Sequence, residues 1–353
     1  MALRIFTCTD FRCLSSVTLE ADPRYNLIHG PNASGKTSLL EAIAYLGRGK
    51  SFRGAPTHRL VRHGASEFLL FSKVQTGSRE SAVGVRNGRS GLEISVDGDR
   101  TGGAAALATA LPLQIVDPDV HNLVAGGPEH RRRYLDWIAF HVEQGYLGLW
   151  RRFRRALKQR NAALRDGATA ELRGWDREFA DLALEVDAAR QRALARTLGA
   201  LETTGLRLLG SAVGFEYRQG WSADKSLPEA LAVGLERDLQ AGITTIGPHR
   251  ADLRLIYDER QARKLVSRGQ QKLLACTLIL AASRVVQATL DQPLLLLLDD
   301  PAAELDTEAL ERLMSEVAGL NSQVIATALH GAANLFPQPP ARFHVERGVL
   351  HRR

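Results

Sequence analysis

The chain has 353 residues, 44% of them apolar, enough to bury a sizeable core and to build about two domains. Lys and Arg number 46 against 39 Asp and Glu, a net charge of +7 that suits either a polyanionic partner or general surface basicity. Cys8, Cys13 and Cys276 supply neither a disulfide framework nor a four-ligand zinc set, so they read as packing residues in a reducing cytoplasm. The N-terminus breaks with Thr7, Thr9 and Asp10 before an apolar signal region can form. The runs from Leu273 to Ala282 and from Leu294 to Leu298 fall short of the roughly 20 residues of a spanning helix, so no membrane partner is expected.

Taken in chain order, residues 5–28 carry short β-like runs. A P-loop fit then follows at Gly30-Pro31-Asn32-Ala33-Ser34-Gly35-Lys36-Thr37-Ser38, between the apolar strand at Leu27-Ile28 and a helix through Leu39, Leu40, Ile43 and Leu46. In that setting the loop amides and the helix N-terminus wrap the phosphates of ATP. Lys36 neutralises β/γ-phosphate charge, and the Thr37 hydroxyl ligates Mg²⁺. Strand-like segments return at 68–74, 81–86 and 92–96, and the dipeptides Asn87-Gly88 and Asp97-Gly98 predict hairpin turns of an antiparallel sheet.

From about Asp117 to Leu239 the periodicity becomes helical. Trp150, Phe153, Leu157 and Leu164 share one face, and Trp175, Phe179, Leu182, Val186, Ala189 and Ala193 share another, with a turn over 166–170. Both stripes read as core. Between Glu129 and Arg165 there are ten Lys/Arg against three Asp/Glu, and Arg151, Arg152, Arg154, Arg155 and Lys158 flank the apolar face. Such a run is either a solvated helix face or a sequence-independent contact with DNA phosphates.

After Gly242 the β/α pattern resumes. Pro293 to Leu298 reads as a strand buried on both faces, and Asp299-Asp300 stand at its C-terminal end, where open α/β sheets place ligands. Asp299 is suited to hold Mg²⁺, directly or through water, and Asp300 to polarise or position an attacking water. The expected fold class is α/β: a P-loop ATPase head of mixed and antiparallel sheets with helices, formed by residues 1–116 and 241–353, with an α-helical arm domain inserted at 117–240.

Ser267-Arg268-Gly269-Gln270, about 30 residues ahead of Asp299, resembles the signature of ABC ATPases, and Glu304-Leu305-Asp306 resembles their D-loop. In that superfamily the signature of one subunit closes the ATP site of another, which implies an ATP-dependent homodimer. The blocks Asn32–Ala42, Gly49–Arg53, Gly126–Trp137, Leu157–Leu164 and Gly247–Leu253 resemble the RecF family of ABC-type ATPases, relatives of the SMC proteins, over nearly the whole chain. That resemblance implies a cytoplasmic, nucleoid-associated clamp in recombinational repair, replication restart and the SOS response. The clamp dimerises with ATP on gapped or junction DNA and is released by slow, DNA-stimulated hydrolysis. The resemblance also implies cooperation with RecO and RecR in loading RecA. It makes Gln114 a Q-loop glutamine of the metal shell, catalytic alongside Asp300. ABC transporters place a histidine directly after the next core strand; here Thr327-Ala328 stand there instead, which predicts slow turnover. The rival readings are a P-loop kinase or nucleotide hydrolase acting on a small molecule, a transporter ATPase subunit, and a module that uses ATP only as a clamp.

Overall fold

A computed structural model describes residues 1–167, 169–258, 260–261, 267–330 and 335–352. Two compact units emerge: Met1–Val120 with Asp291–Arg353, and His121–Leu290. The sequence reading placed the second changeover at 240/241. The compact units change over at 290/291, because the strand after Gly242 pairs along its length with a strand before it.

The first unit holds two sheets. One is antiparallel and five-stranded, in the order β2-β1-β4-β5-β6, from β1 (Ala2–Phe11), β2 (Leu14–Glu20), β4 (Glu67–Thr76), β5 (Arg79–Gly88) and β6 (Gly91–Val96). The second hairpin departs from the dipeptide prediction. Gly88 pairs with Gly91, so Arg89-Ser90 make the turn, and Asn87 lies buried in β5 donating to the Tyr45 hydroxyl at 2.7 Å. Asp97 and Gly98, at φ 51 and 86, do form a turn, matching the left-handed pair that a tight hairpin prefers. The rings of Phe11, Tyr45 and Phe68 meet edge to face beneath this sheet, with centroids 5.0 to 6.3 Å apart.

The other sheet has six strands in the order β14-β13-β3-β12-β11-β7. They are β3 (Tyr25–His29), β7 (Leu113–Val116), β11 (Leu295–Leu298), β12 (Gln323–Ala328), β13 (Ala341–Glu346) and β14 (Val349–Arg352). All pair in parallel except β14, and β7 and β11 are buried at every position, as strands covered on both faces are. Helix α1 (Lys36–Arg48) follows β3 and buries Leu39, Leu40, Ile43 and Leu46 in the shared core. The short helix α2 is Gly103–Ala110. The parallel order brings the C-terminal ends of β3, β12, β11 and β7 into one row, and the candidate site stands along it.

The second unit contains α3 (Asn122–Ala125), α4 (Pro128–Val142), α5 (Tyr146–Asp166), α6 (Thr169–Leu209), α7 (Leu227–Ala241) and α8 (Arg268–Leu290). The two stripes read as core are largely so: Phe153, Leu157, Leu164, Phe179, Leu182, Val186, Ala189 and Ala193 are buried, and the rings of Phe153 and Phe179 lie 5.6 Å apart. Helix α5 ends where Gly167 takes φ 64, a left-handed cap only glycine adopts without strain. Ser226 and Glu229 form a reciprocal capping box that starts α7. The unit is not wholly helical, since β8 (Val213–Arg218), β9 (Asp252–Tyr257) and β10 (Arg260–Gln261) form a small antiparallel sheet. Arg160 is buried with Nε on Asp176 at 2.7 Å and Nη1 on Asp238 and Thr244 at 2.8 Å, tying α5 to α6 and to the end of α7.

Helix α8 corrects one expectation. At 23 residues with a mean hydropathy of 1.7 in its most apolar stretch, it is long and apolar enough to cross a membrane. Thr277 and Ser283 interrupt the apolar run in the sequence, but their hydroxyls bond back to the carbonyls of Leu273 and Ile279. Residues Leu273 to Ser283 of the helix are all buried, and Tyr134 of α4 donates to its Leu278 carbonyl at 3.1 Å. It packs as a core helix of its unit.

Candidate nucleotide site

The loop between β3 and α1 closes because glycine stands at its two tight places. Gly30 has φ 153, and a Cβ there would run into the Val345 carbonyl of β13; Gly35 has φ 113 and packs on Cys13 and Leu14. Ala33 adopts φ 61, a left-handed conformation that costs a residue with a Cβ about 1 kcal/mol. Pro31, Asn32 and Ala33 are exposed at the crest, and Ser34 is buried, with the Gly348 amide donating to its carbonyl at 2.9 Å. Ser38 faces the Cys13 thiol at 3.6 Å.

The Lys36 ammonium donates to the carbonyls of Gly30 at 2.7 Å and Pro31 at 2.9 Å, so its charge lies within the curl of the loop. Burial pushes its pKa down, while Asp300 and Asp299 pull it up. No acidic residue stands in the first turn of α1, leaving the helix N-terminus uncompensated and suited to an anion. The Ser34 hydroxyl is buried and has no partner among the described residues. An orphaned donor, a positive helix end and an ammonium turned into the same loop fit a polyphosphate.

Across the sheet, Asp299 directly follows β11 and is 4% exposed. Its Oδ1 accepts from the Thr37 hydroxyl at 3.1 Å and from the Thr327 hydroxyl at 2.7 Å. Burial raises the pKa of this carboxyl, the two hydroxyls lower it, and Asp300 raises it further. Asp300 is exposed at φ 48, and its amide donates to the Thr327 hydroxyl at 2.9 Å. Oxygen donors from Thr37 and Asp299 side by side suit Mg²⁺, a hard cation that prefers carboxylate and hydroxyl ligands.

Lys36, Thr37, Asp299 and Asp300 therefore come together. Gln114 does not join them. It sits in the middle of β7 opposite Leu296, and its Oε1 accepts from Arg48, at the far end of α1, at 3.3 Å. The acid beside Asp299 is instead Asp117, just past the end of β7. Burial pushes its carboxyl up to about 6, Asp119 and Asp299 add to the rise, and Arg48 opposes it. Burial lowers Arg48 to about 10, with Asp117 pulling it back. Asp306 caps α9 (Thr307–Ala318), accepting from the Ala309 amide at 2.7 Å. Ser267 and Gln270 form a second reciprocal cap, at the start of α8 in the other unit: the Ser267 amide donates to Gln270 Oε1 at 2.9 Å, and the Gln270 amide to Ser267 Oγ at 3.3 Å. Ser267, Arg268 and Gln270 are exposed; Leu265 and Val266 lie outside the described residues. Arg151, Arg152, Arg154, Arg155 and Lys158 are all exposed on α5, with Arg154 over the Trp150 ring at 5.4 Å.

Several residues escaped the sequence. Glu41, buried on α1, accepts both Arg12 Nε and Nη2 at 3.0 Å and the Ser51 hydroxyl at 2.5 Å, with Arg53 at 3.9 Å. This network anchors α1 to the β1–β2 turn and to the segment that carries Arg53, whose charge lowers the pKa of Asp299. A glutamate at a helical core position was the available signal. Asp117 could have been found because Ile115-Val116-Asp117 repeats the pattern of Leu297-Leu298-Asp299, and Thr327 because it is the hydroxyl in an apolar strand.

Comparison with known proteins agrees with this geometry. The family model described as RecF/RecN/SMC N terminal domain matches residues 2–335. The DNA replication and repair protein RecF of Shewanella pealeana is 36% identical over 356 residues, covering 99% of this chain and 98% of that protein. Its counterpart in Yersinia pestis is 38% identical over 357 residues, with the same coverage. Among solved structures, the recombination mediator protein RecF with ATP, of the RecFOR pathway, has a TM-score of 0.90 at 23% identity, covering 100% of this chain and 97% of that one. An Smc head bound to the C-winged helix domain of ScpA has a TM-score of 0.61 at 14% identity, with the same coverage. Alike over its whole length to such relatives, and sharing the ABC-type ATPase fold of RecF and Smc heads, the chain belongs to the RecF family of DNA replication and repair proteins.

Proposed function

We propose that this chain is an ATP-dependent clamp on gapped or junction DNA, which closes as a homodimer when ATP binds and opens on slow, DNA-stimulated hydrolysis. The observation that carries the reading is the grouping of Lys36, Thr37, Asp299 and Asp300 at the C-terminal edge of the parallel strands. Residues Gly30 to Ser38 hold the phosphates: the loop amides and the Ser34 hydroxyl donate, and Lys36 leaves its carbonyl partners to neutralise charge. Thr37 and Asp299 would hold Mg²⁺, which when bound offsets charge on the β- and γ-phosphates. Gln114 would join them only after leaving Arg48. Asp300, on the exposed side of its turn, orients the attacking water.

Ser267, Arg268, Gly269 and Gln270 of a second copy close the site, where the N-terminus of α8 faces the γ-phosphate. Asp306 lies on the turn beside that interface. ATP then stabilises the dimer by mass action, because it bridges two chains, and its hydrolysis removes the bridge. Functionally the head draws on 1–116 and 241–353, with 117–240 as the arm. The exposed Arg151, Arg152, Arg154, Arg155 and Lys158 contact DNA phosphates without reading sequence. The solved relative's RecFOR pathway supports action with RecO and RecR, and through them on RecA, at cytoplasmic DNA in recombinational repair and the SOS response.

The test is nucleotide binding against turnover. Lys36→Met lowers affinity for a fluorescent ATP analogue, whereas Asp300→Asn binds it and fails to hydrolyse ATP. An Asp300→Asn protein with the wild-type rate would refute the assignment. Phosphate transfer from ATP to a small acceptor, in place of hydrolysis, would favour the kinase reading.

A further inference from the structure

Strand β12 lies between β3, which leads into the phosphate loop, and β11, which ends at Asp299-Asp300. Its buried stretch Val324-Ile-Ala-Thr327 is apolar but for Thr327, which is 1% exposed. Thr327 pairs in register with Ile28 of β3, and its neighbour Ala326 pairs with Leu298 of β11. The hydroxyl thus sits between the two halves of the nucleotide site.

Its hydrogen bonds admit a single assignment. An amide can only donate, so Thr327 Oγ1 accepts from the Asp300 N–H at 2.9 Å. A hydroxyl carries one proton, and the remaining partner is Asp299 Oδ1 at 2.7 Å, so the proton points there. One side chain therefore fixes the orientation of the Asp299 carboxylate and holds the amide of Asp300, whose φ of 48 is a conformation that residues with a Cβ resist. The same Asp299 oxygen takes the Thr37 hydroxyl, so the link runs from the phosphate loop through Asp299 and Thr327 to Asp300.

We propose that Thr327 is a positioning residue for hydrolysis, locking Asp299 and Asp300 into one geometry through a hydroxyl shared between them. It stands beside Ala328, where no titratable side chain is available to do so. The proposal rests on Asp300 serving hydrolysis.

The experiment compares wild type with Thr327→Val, Thr327→Ser and Asp300→Asn in the full chain. Four quantities are measured: thermal melting, affinity for a fluorescent ATP analogue in EDTA, and kcat and KM for ATP with Mg²⁺. Thr327→Val preserves shape and removes the hydroxyl. It should leave metal-free affinity and KM within about threefold and lower kcat by about 10²-fold, the scale on which a 1 Å misplacement acts. Thr327→Ser restores the hydroxyl and should recover most of the lost kcat. Should the Val protein not fold, Thr327→Ala against Thr327→Ser carries the same contrast. A Val protein with the wild-type kcat overturns the proposal, as does a Ser protein no faster than the Val protein. If Asp300→Asn turns over normally, the reading beneath the proposal has failed, whatever the Thr327 variants do.

Discussion

Replacing Arg160 by Met removes a guanidinium from the interior of the second unit and leaves its partners behind. The side chains of Arg160 and Asp238 are both 0% exposed, whereas that of Asp176 is 32% exposed and can turn to water. The cost therefore falls on Asp238, which among the described residues keeps only the amide and hydroxyl of Thr245 as donors. Stranding a buried charge in this way costs about 3–5 kcal/mol. In a unit of this size each kcal/mol lowers Tm by about 2–4 °C, so the melting of the second unit should fall by roughly 6–20 °C. Adding Asp238→Asn removes the stranded charge and retains an acceptor for Thr245, so the double variant should regain at least about half of the loss. Scanning calorimetry, with hydrogen exchange at α5 and α7 amides, measures both. A single variant within about 1 kcal/mol of wild type, or a double variant no better than the single, would refute the buried-charge account.

Three further outcomes are expected. Ala33→Gly relieves the left-handed strain at φ 61 against the entropy that glycine adds to the unfolded chain, a net gain of up to about 0.6 kcal/mol by denaturant midpoint; a loss contradicts it. Burial pushes the Asp117 carboxyl up to about 6, above its ordinary value, so the folded chain binds the proton more tightly. Its contribution therefore favours folding as pH falls from about 6 toward 4 and opposes it above 6. Asp117→Asn should flatten the stability profile across that window, and an unchanged profile would count against the burial of this carboxyl. Arg151→Ala, Arg155→Ala and Lys158→Ala should each weaken DNA binding on every sequence and reduce the slope of log K against log salt by about 1. A sequence-dependent loss would show base reading instead.

The local chemistry of the nucleotide site was legible because it is written in short, contiguous stretches. Gly30 to Thr37 specify a loop by backbone freedom and charge, and Leu294 to Asp300 specify a buried strand ending in two acids. What was not legible depends on strand order. Nothing near Thr327 in the chain says that β12 lies between β3 and β11, so its bonds to residues 299 and 300 could not be anticipated. Gln114 illustrates the reverse: family resemblance suggested a role in the metal shell, but its register opposite Leu296 and the nearby Arg48 place its amide elsewhere. Asn87-Gly88 has the composition of a hairpin turn, yet the pull of Tyr45 and the buried face of β5 moved the turn two residues on. The compact units change over after residue 290 rather than 240 for a similar reason, since the pairing of β9 with β8, an antiparallel partner well upstream, is invisible to periodicity.

The central claim is that ATP joins two copies through the phosphate loop of one and the Ser267 turn of the other. Sedimentation velocity on wild type, Lys36→Ala, Ser267→Arg and Asp300→Asn, with and without ATP and Mg²⁺, tests it most directly. The account predicts a dimer that appears only with ATP, is absent in Lys36→Ala and Ser267→Arg, and outlasts the wild-type dimer in Asp300→Asn. A wild-type chain that stays monomeric with ATP bound, or a Ser267→Arg chain that dimerises normally, would contradict it.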